Sequence, residues 1–322
     1  MASARGTLGE LYGINRSVQR QTVTESDRWK VVTRMDEPAA KEPSPRKPNA
    51  HQAPEACAKR PPQSLQEWKV WGTYDPLWGV AAWPGKRKSD SQAWSDAEFE
   101  RLGATDWQDF WTRWERYGVG PYRCLEIGCG AGRLTSQIAK VFEEVIALDV
   151  SEGMIAEARQ RVNNSAVRFA LSDGTRIPAE DSSVSGVFSA HVFQHFDSLE
   201  YAAYYFREVA RILQPGGSMM IHLPVFRSHP HTPLLARKAL QLRLRIGAAA
   251  VQLRRHLLAR AWGAPFMDMI YFPEEWLFET VAAAGLSEVE LIQFAVRSNG
   301  AIHPFVMARK GTANSESIEA FP

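Results

Sequence analysis

The sequence predicts an α/β fold, a doubly wound sheet of seven strands with helices on both faces. The first observation is the segment 124–140, in which an apolar strand leads through a glycine-rich turn into a helix-compatible run. The second is the recurrence of apolar strand segments separated by helical segments over residues 145–223. The third is a pair of closing strand segments that follow a helix ending at Gly285. Alternating strands and helices favour a mostly parallel sheet covered on both faces.

The individual elements follow in order along the chain. Residues 199–213 form an amphipathic helical segment, and the Gln-Pro-Gly-Gly sequence at residues 214–217 breaks it. A later helical segment, residues 274–285, ends at a glycine. The predicted strands are residues 124–127, 145–150, 167–173, 186–191, 218–223, 288–294 and 303–308.

The composition limits the classes of function. The 322 residues are 45% hydrophobic and 23% charged, and the net charge of +2 predicts no DNA binding. The three cysteines, Cys57, Cys124 and Cys129, provide neither a disulfide framework nor paired metal spacing, so no metal site is predicted. No apolar run reaches the roughly 18 residues of a membrane span, and no signal peptide is recognisable. A cytoplasmic location is therefore expected.

The chain divides by composition into four parts. Residues 1–63 carry scattered prolines among charges, which predicts a disordered tail in which Met35 offers an alternative start. Residues 64–118 hold eight of the eleven tryptophans and predict a helical cap, whose aromatic face either packs on the sheet or roofs a substrate pocket. Residues 119–311 form the sheet domain, and residues 312–322 form a C-terminal tail.

A basic insertion, residues 226–268, follows the fifth strand. No Asp or Glu occurs from residue 209 to residue 267, and nine Lys or Arg lie in that interval. Apolar residues at spacings of three and four predict a basic amphipathic helix. It is either a solvated face with an ordinary core stripe, a lid, a site for an acidic substrate, or an RNA or membrane contact through residues 235–260.

The glycine turn lies in the run CLEIGCGAGRLT, residues 124–135. Its glycines stand at alternate positions, Gly128, Gly130 and Gly132. A dinucleotide site requires a further glycine where this chain has Arg133. The carboxylate of Glu126, two positions before the first glycine, would repel a pyrophosphate and suits a ligand that carries an ammonium or sulfonium group.

The run resembles motif I of class I S-adenosylmethionine-dependent methyltransferases, in the type 11 small-molecule branch. The Leu-Gln-Pro-Gly-Gly turn at residues 213–217 is typical of the same branch, although Val184-Ser185 replaces the usual Phe-Asp at the start of strand four. The resemblance implies a Rossmann-like fold with S-adenosylmethionine as cofactor. The cofactor-binding residues that it implies are Glu126, Gly128, Cys129, Gly130, Gly132, Asp149, Val150, Met154, Asp173, Gly174 and Ala190.

The same resemblance assigns roles to three strand ends. Asp149 ends the second strand, one strand–helix–strand step after Glu126, where a carboxylate accepts hydrogen bonds from ribose hydroxyls. Val150 and Met154 would flank the adenine ring, and Asp173 would contact its amino group.

Methyl transfer is an in-line displacement, so the protein mainly holds the acceptor in line, excludes water and sometimes removes a proton. His191 and His195, near the end of strand four, are the candidate bases, with a packing role as the alternative. The sequence after strand four lacks the motif of adenine and glutamine amino-methylases, which leaves a small-molecule acceptor. Two alternatives stay open: a cofactor-binding protein without catalysis, and an RNA- or membrane-directed methyltransferase. The oligomeric state is not assigned.

Overall fold

A computed structural model describes residues 63–226 and 269–312. The predicted tail up to residue 62, the insertion from residue 227 to residue 268 and the C-terminal tail beyond residue 312 lie outside the described residues. The helices are α1 Gln63–Tyr74, α2 Pro76–Val80, α3 Asp96–Tyr117, α4 Thr135–Ile138, α5 Glu152–Arg161, α6 Leu199–Ile212 and α7 Glu274–Ala283. The strands are β1 Arg123–Ile127, β2 Glu144–Asp149, β3 Val167–Leu171, β4 Val184–Ser189, β5 Leu213–His222, β6 Val225–Phe226, β7 Phe272–Pro273, β8 Leu286–Ala295 and β9 Ile302–Lys310.

Seven strands form one mixed sheet in the order β3-β2-β1-β4-β5-β9-β8. Strands β1 to β5 run parallel, whereas β9 pairs antiparallel with both β5 and β8. The strand order reverses between β1 and β4, so their carboxyl ends border the crevice in which ligands of doubly wound sheets bind. The predicted seven-stranded α/β fold is confirmed. A separate parallel pair joins β6 to β7.

The tryptophan-rich helix α3 has well-defined ends. A capping box joins Ser95 and Glu98 at its start: the hydroxyl of Ser95 accepts the Glu98 N–H, and the Glu98 carboxylate accepts the Ser95 N–H. Gly118, with φ of +94°, ends the helix in the left-handed conformation. Its apolar face then packs on one side of the sheet, where Phe110 and Trp114 are fully buried.

The other face of the sheet is covered by α6 and α7. The aromatic residues Tyr201, Tyr204 and Tyr205, which the helical spacing of α6 places on one face, are buried in this core. The hydroxyl of Tyr201 donates to the carbonyl of Gly174 at 2.5 Å. This side of the molecule therefore uses its tyrosines for packing and for holding the loop after β3.

The predicted break at residues 214–217 lies within β5 rather than before it. Val184 pairs with Leu213 and Gly186 pairs with Ser218, so β5 contains extra residues opposite a short stretch of β4. Gly216 has φ of +79°, which accommodates this bulge. The strand beyond the bulge is fully buried as far as His222.

None of the helices within residues 63–226 and 269–312 combines the length and the apolar character needed to span a bilayer.

Trp114 provides a test of how the Trp-rich segment contributes to stability. Its side chain is fully buried, its Nε1 donates to the Ser218 hydroxyl at 3.0 Å, and a Cβ on Gly186 would lie 3.0 Å from its ring. We expect Trp114→Ala to lower the free energy of unfolding by about 3–5 kcal/mol, because it leaves a large cavity. Tyr122→Ala, at a 59% exposed aromatic, should change it by less than about 0.5 kcal/mol in the same urea titration. Equal losses in both variants would contradict this role.

Candidate functional site

The glycine turn lies at the carboxyl end of β1 and is tied to β2 through its backbone. The N–H groups of Gly128 and Cys129 both donate to the carbonyl of Leu148, at 2.8 Å each. Gly130 has φ of +52°, and a Cβ on it would lie 2.5 Å from Cγ2 of Val80 in α2. The turn therefore requires glycine at residue 130 for its backbone conformation and for space.

Two contacts join this turn to neighbouring elements. A Cβ on Gly128 would lie 2.2 Å from Cγ2 of Val192, so the turn touches the segment after β4. A Cβ on Gly132 would lie 2.9 Å from Cγ2 of Val162, at the end of α5. Cys129 is buried and free, and burial raises the pKa of its thiol well above the usual range. The thiol is therefore not ionised at neutral pH, which argues against a nucleophilic role.

Glu126 is a buried carboxyl group inside the sheet. Its side chain is on β1, and its Oε2 accepts the hydroxyl hydrogen of Thr135 at 2.6 Å. Burial raises its pKa to about 8; the nearby Asp149 adds to the shift, while the Thr135 hydrogen bond and Arg133 oppose it. At neutral pH the group is mostly protonated, and a cation bound beside it would favour the ionised form.

Asp149 holds the ends of two loops together. Its Oδ2 accepts the N–H of Gly130 at 2.9 Å, and its Oδ1 accepts the N–H of Ser151 at 2.9 Å. Burial raises its pKa to about 6, against the opposing effect of these backbone hydrogen bonds. The carboxylate is therefore ionised at neutral pH. Ser151 is the N-cap of α5 and accepts the N–H of Met154, which is fully buried.

Helices α1 and α2 cover this region directly. Besides the contact of Val80 with Gly130, a Cβ on Gly72 in α1 would lie 2.0 Å from Oγ of Ser151. A Cβ on Gly174, after β3, would lie 2.7 Å from Cδ1 of Leu65. The first two helices thus contact the glycine turn, the start of α5 and the loop after β3.

Asp173 lies apart from the buried carboxyl groups. It is exposed, and its Oδ1 accepts hydrogens from both the N–H and the hydroxyl of Thr175, at 2.8 and 2.7 Å, which lowers its pKa. It lines a pocket of about 570 Å³ whose other walls include Arg176 and Ile177. Gly174 is buried beside it, with its N–H donated to the Ser172 hydroxyl. Val150, between Asp149 and Ser151, is partly buried.

The segment after β4 begins with Ala190 and His191, both partly buried, and continues into a short 3-10 helix over Phe193–His195. His191 has φ of +62°, an unusual conformation for a residue with a side chain. His195 is buried; its Nε2 lies 3.0 Å from Nε2 of Gln194, and its ring contacts Trp68 edge-on at 5.0 Å. His195 is thus held by packing and hydrogen bonding.

His191 belongs to a cluster that the sequence analysis missed. Its ring centroid lies 4.3 Å from that of His222, the last residue of β5, and 4.9 Å from that of His303 on β9. Burial, followed by the neighbouring histidines, lowers the pKa of His191 well below its usual range and that of His222 to about 3. His191 is consequently a weak base at neutral pH, and its role as general base stays a prediction.

A buried ion pair stands beside this cluster. Arg133, which follows the last glycine of the turn, pairs with Asp106 of α3. A Cβ on Gly103, one turn earlier in α3, would lie 2.3 Å from the carbonyl oxygen of Arg133. The glycine turn is therefore packed against α3 as well as against α2.

Comparison with known proteins places this arrangement in a family. Residues 125–221 match the methyltransferase domain family. That segment contains the glycine turn, Asp149, strands β2 to β4 and most of β1 and β5. The chain contains a class I S-adenosylmethionine-dependent methyltransferase domain. The cofactor of the domain is S-adenosylmethionine.

The curated relatives match this domain over short stretches. The biotin biosynthesis bifunctional protein BioHC of Cellvibrio japonicus is 38% identical over 99 residues, which are 31% of this chain and 19% of the relative. The malonyl-[acyl-carrier protein] O-methyltransferase of Hahella chejuensis is 33% identical over 102 residues, 31% of this chain and 36% of the relative. The fatty-acid O-methyltransferase of Mycolicibacterium smegmatis is 33% identical over 100 residues, which are 30% of this chain and 34% of the relative. The chain thus spans about a third or less of the length of these three relatives.

Among solved structures, the N-methyltransferase NodS of Bradyrhizobium japonicum WM9, in complex with S-adenosylhomocysteine, covers 77% of this chain and 98% of its own. Its sequence identity is 18% and its TM-score is 0.45.

A comparison of Gly130 with Gly85 distinguishes two reasons for which a position needs glycine: lack of space for a side chain and a positive φ. Both have positive φ, but a Cβ on Gly85 would meet nothing within 4 Å. We expect Gly85→Ala to cost about 1–2 kcal/mol of stability through backbone strain alone, measured by urea unfolding. Gly130→Ala should cost clearly more, and Val80→Ala in the same chain should recover part of the difference. Equal costs at the two glycines would show that α2 does not press on the turn.

Glu126→Gln tests the buried carboxyl group. Between its ordinary pKa of 4.5 and its raised pKa of about 8, the native state holds a proton that the unfolded chain releases. Stability from this group is therefore complete below pH 4.5 and falls as the pH rises towards 8. Gln keeps an acceptor for Thr135 and cannot ionise, so we expect the variant to melt at a higher temperature than the wild type at pH 8. At pH 4.5 the two should melt alike; an identical difference at both pH values would contradict the shifted pKa.

Proposed function

We infer that this protein is a methyltransferase that transfers the methyl group of S-adenosylmethionine in line to a small-molecule acceptor. The observation that carries the proposal is the pair of buried carboxyl groups of Glu126 and Asp149 near the carboxyl ends of β1 and β2, with Asp149 hydrogen-bonded to Gly130 of the glycine turn. This arrangement lies within the residues that match the methyltransferase domain.

The residues present suit this cofactor chemically. The Asp149 carboxylate accepts the N–H groups of Gly130 and Ser151, and a carboxylate has about four acceptor sites, so it retains capacity for a further hydrogen such as that of a ribose hydroxyl. Glu126 is mostly protonated at neutral pH in the unliganded protein, and a bound cation would stabilise its ionised form. The cofactor supplies an already activated methyl group on a sulfonium. The protein therefore needs to bind it, to orient the acceptor and to exclude water.

We propose that α1 and α2 exclude water from the cofactor site. Val80 occupies the space above Gly130, and α1 packs on the N-cap of α5 through Gly72. We propose that these helices move away from the turn when the cofactor enters and close again afterwards. The sequence analysis considered that the tryptophan-rich segment covers a substrate pocket. In this proposal its first two helices, α1 and α2, cover the bound cofactor instead.

The weak basicity of His191 and the names of two relatives support one class of acceptor. Methylation of a carboxylic acid requires no proton removal at neutral pH, because the acceptor is already ionised. The low pKa of His191 suits such an acceptor better than a phenol or an alcohol. The names of two relatives specify O-methyl transfer to malonyl-[acyl-carrier protein] and to fatty acids. Small carboxylic acids are therefore the first acceptors to test.

A binding titration followed by a turnover assay tests this function. We expect calorimetry to show binding of S-adenosylmethionine and S-adenosylhomocysteine, and radiolabelled methyl groups to appear in acceptors from a panel of carboxylic acids, phenols and amines. Binding without turnover across the panel would favour a non-catalytic cofactor-binding protein. Absence of cofactor binding by the folded chain would overturn the proposal.

Asp149→Ala should weaken cofactor binding by about 1.5–3 kcal/mol, because it removes hydrogen bonds to a charged group. It should also lower stability, since the N–H groups of Gly130 and Ser151 lose their acceptor. Asp109→Ala is the matched control. Asp109 is a buried carboxylate on α3 that accepts two N–H groups of Arg297, at 2.9 Å each. We expect the control to lose stability but to keep its cofactor affinity; equal losses of affinity would show an effect on folding alone.

A cytoplasmic location remains part of the proposal, and the free, buried Cys124 and Cys129 support a reducing compartment. The basic insertion that motivated an RNA or membrane contact lies outside the described residues.

A further inference from the structure

Three histidines distant in sequence meet at one place in the fold. His191 follows β4, His222 ends β5, and His303 lies near the start of β9. Parallel pairing brings the carboxyl ends of β4 and β5 to the same edge of the sheet, and antiparallel pairing brings the beginning of β9 to that edge. His222 and His303 are thus held within two paired strands, and His191 lies two residues beyond the end of the neighbouring strand β4.

The geometry of the cluster is compact. The ring centroids of His222 and His303 lie 5.1 Å apart, and one nitrogen of each of the three rings lies within 4.8 Å of the other two. A zinc ion with bonds of about 2.0–2.1 Å in tetrahedral geometry would hold the nitrogens roughly 3.4 Å apart. Small rotations of the three imidazole rings would bring their nitrogens from within 4.8 Å of one another to this shorter separation.

The nitrogens of the cluster have few partners. Nδ1 of His222 and Nδ1 of His303 are buried and have no hydrogen-bond partner among the described residues. Buried polar atoms without partners are uncommon in native proteins, and an ion is one of the recognised explanations. Imidazole binds metals in its neutral form, through either ring nitrogen.

The surroundings tolerate a cation. Arg133 contributes a positive charge, but it is paired with Asp106, so the two side chains together carry no net charge. Asp106 is close enough for its charge to act on His303, and one of its oxygens, Oδ1, has no partner among the described residues. Carboxylates in such positions commonly orient the histidine ligands of metal ions.

We propose that His191, His222 and His303 form a binding site for one divalent transition-metal ion. Three histidines and an open fourth position are the ligand set of zinc sites that bind an exchangeable molecule. The site lies beside the glycine turn, because Val192, the residue after His191, touches Gly128. It therefore stands where a small acidic or hydroxyl-bearing molecule would meet the metal close to the cofactor site. Metal binding itself does not rest on the proposed methyl transfer.

Zinc binding by the full chain without a polyhistidine tag tests the proposal. The protein is stripped with a chelator, titrated with zinc chloride by calorimetry, and analysed for zinc content after dialysis. We expect one zinc ion per chain. His222→Gln and His303→Gln should each weaken zinc binding by more than the roughly 10–100-fold that loss of an outer partner of a metal ligand costs.

His195→Gln is the matched control, because His195 is also a buried histidine near β4 but is held by Gln194 and Trp68. It should retain zinc. Circular dichroism checks the folding of each variant, and zinc X-ray absorption of the wild type, which needs no variant, should show imidazole nitrogens at about 2.0–2.1 Å. A wild type that binds no zinc, cluster variants that retain it, or a control that loses it equally would overturn the site.

Discussion

The hydrogen bonds of Asp149 are the interaction on which the arrangement around the glycine turn depends. One carboxylate accepts the N–H of Gly130 in the turn after β1 and the N–H of Ser151 before α5. These backbone groups lie where a turn and a helix start leave donors without regular partners. By accepting both, Asp149 fixes the distance between the glycine turn and the N-terminus of α5. Helix α1 packs on Ser151. The hydrogen bond from Ser151 to Asp149 therefore also helps to position α1.

Polar groups elsewhere in this region are buried at some cost to stability. Glu126 is protonated over much of the neutral range because burial disfavours its charge, and an unpartnered histidine nitrogen costs about 1–3 kcal/mol. A protein selected for stability alone would place apolar residues at these positions. Glu126, His191 and His222 lie at or just beyond the carboxyl ends of β1, β4 and β5.

The sequence predicted those features that depend on local pattern. Apolar runs predicted the seven strands, and the family resemblance carried by Glu126, the glycines and Asp149 implied that the ends of the first two strands contribute to one site. The assignments of cofactor contacts to individual residues stay predictions, and Asp173 is exposed and bound to Thr175 rather than grouped with the buried carboxyl groups. What the sequence did not predict depends on contacts between distant segments.

The histidine cluster and the cover on the turn are the main examples. His222 and His303 meet because β9 runs antiparallel beside β5, and neither strand carries a signal of that pairing. The composition of the tryptophan-rich segment likewise does not predict that Val80 contacts Gly130. The bulge in β5 was missed because Gln-Pro-Gly-Gly is equally suited to a turn between elements and to an irregularity within a strand.

The position of α1 and α2 has a consequence for the order of assembly during synthesis. These helices leave the ribosome before the surfaces they cover, since the glycine turn, the start of α5 and Gly174 all come later in the chain. Their contacts close long loops, and loop closure is unfavourable until the distant partner has formed. The first part of the described chain to be translated is therefore among the last to dock. Until then Trp71, which is buried in the folded chain, lacks the surface on which it packs.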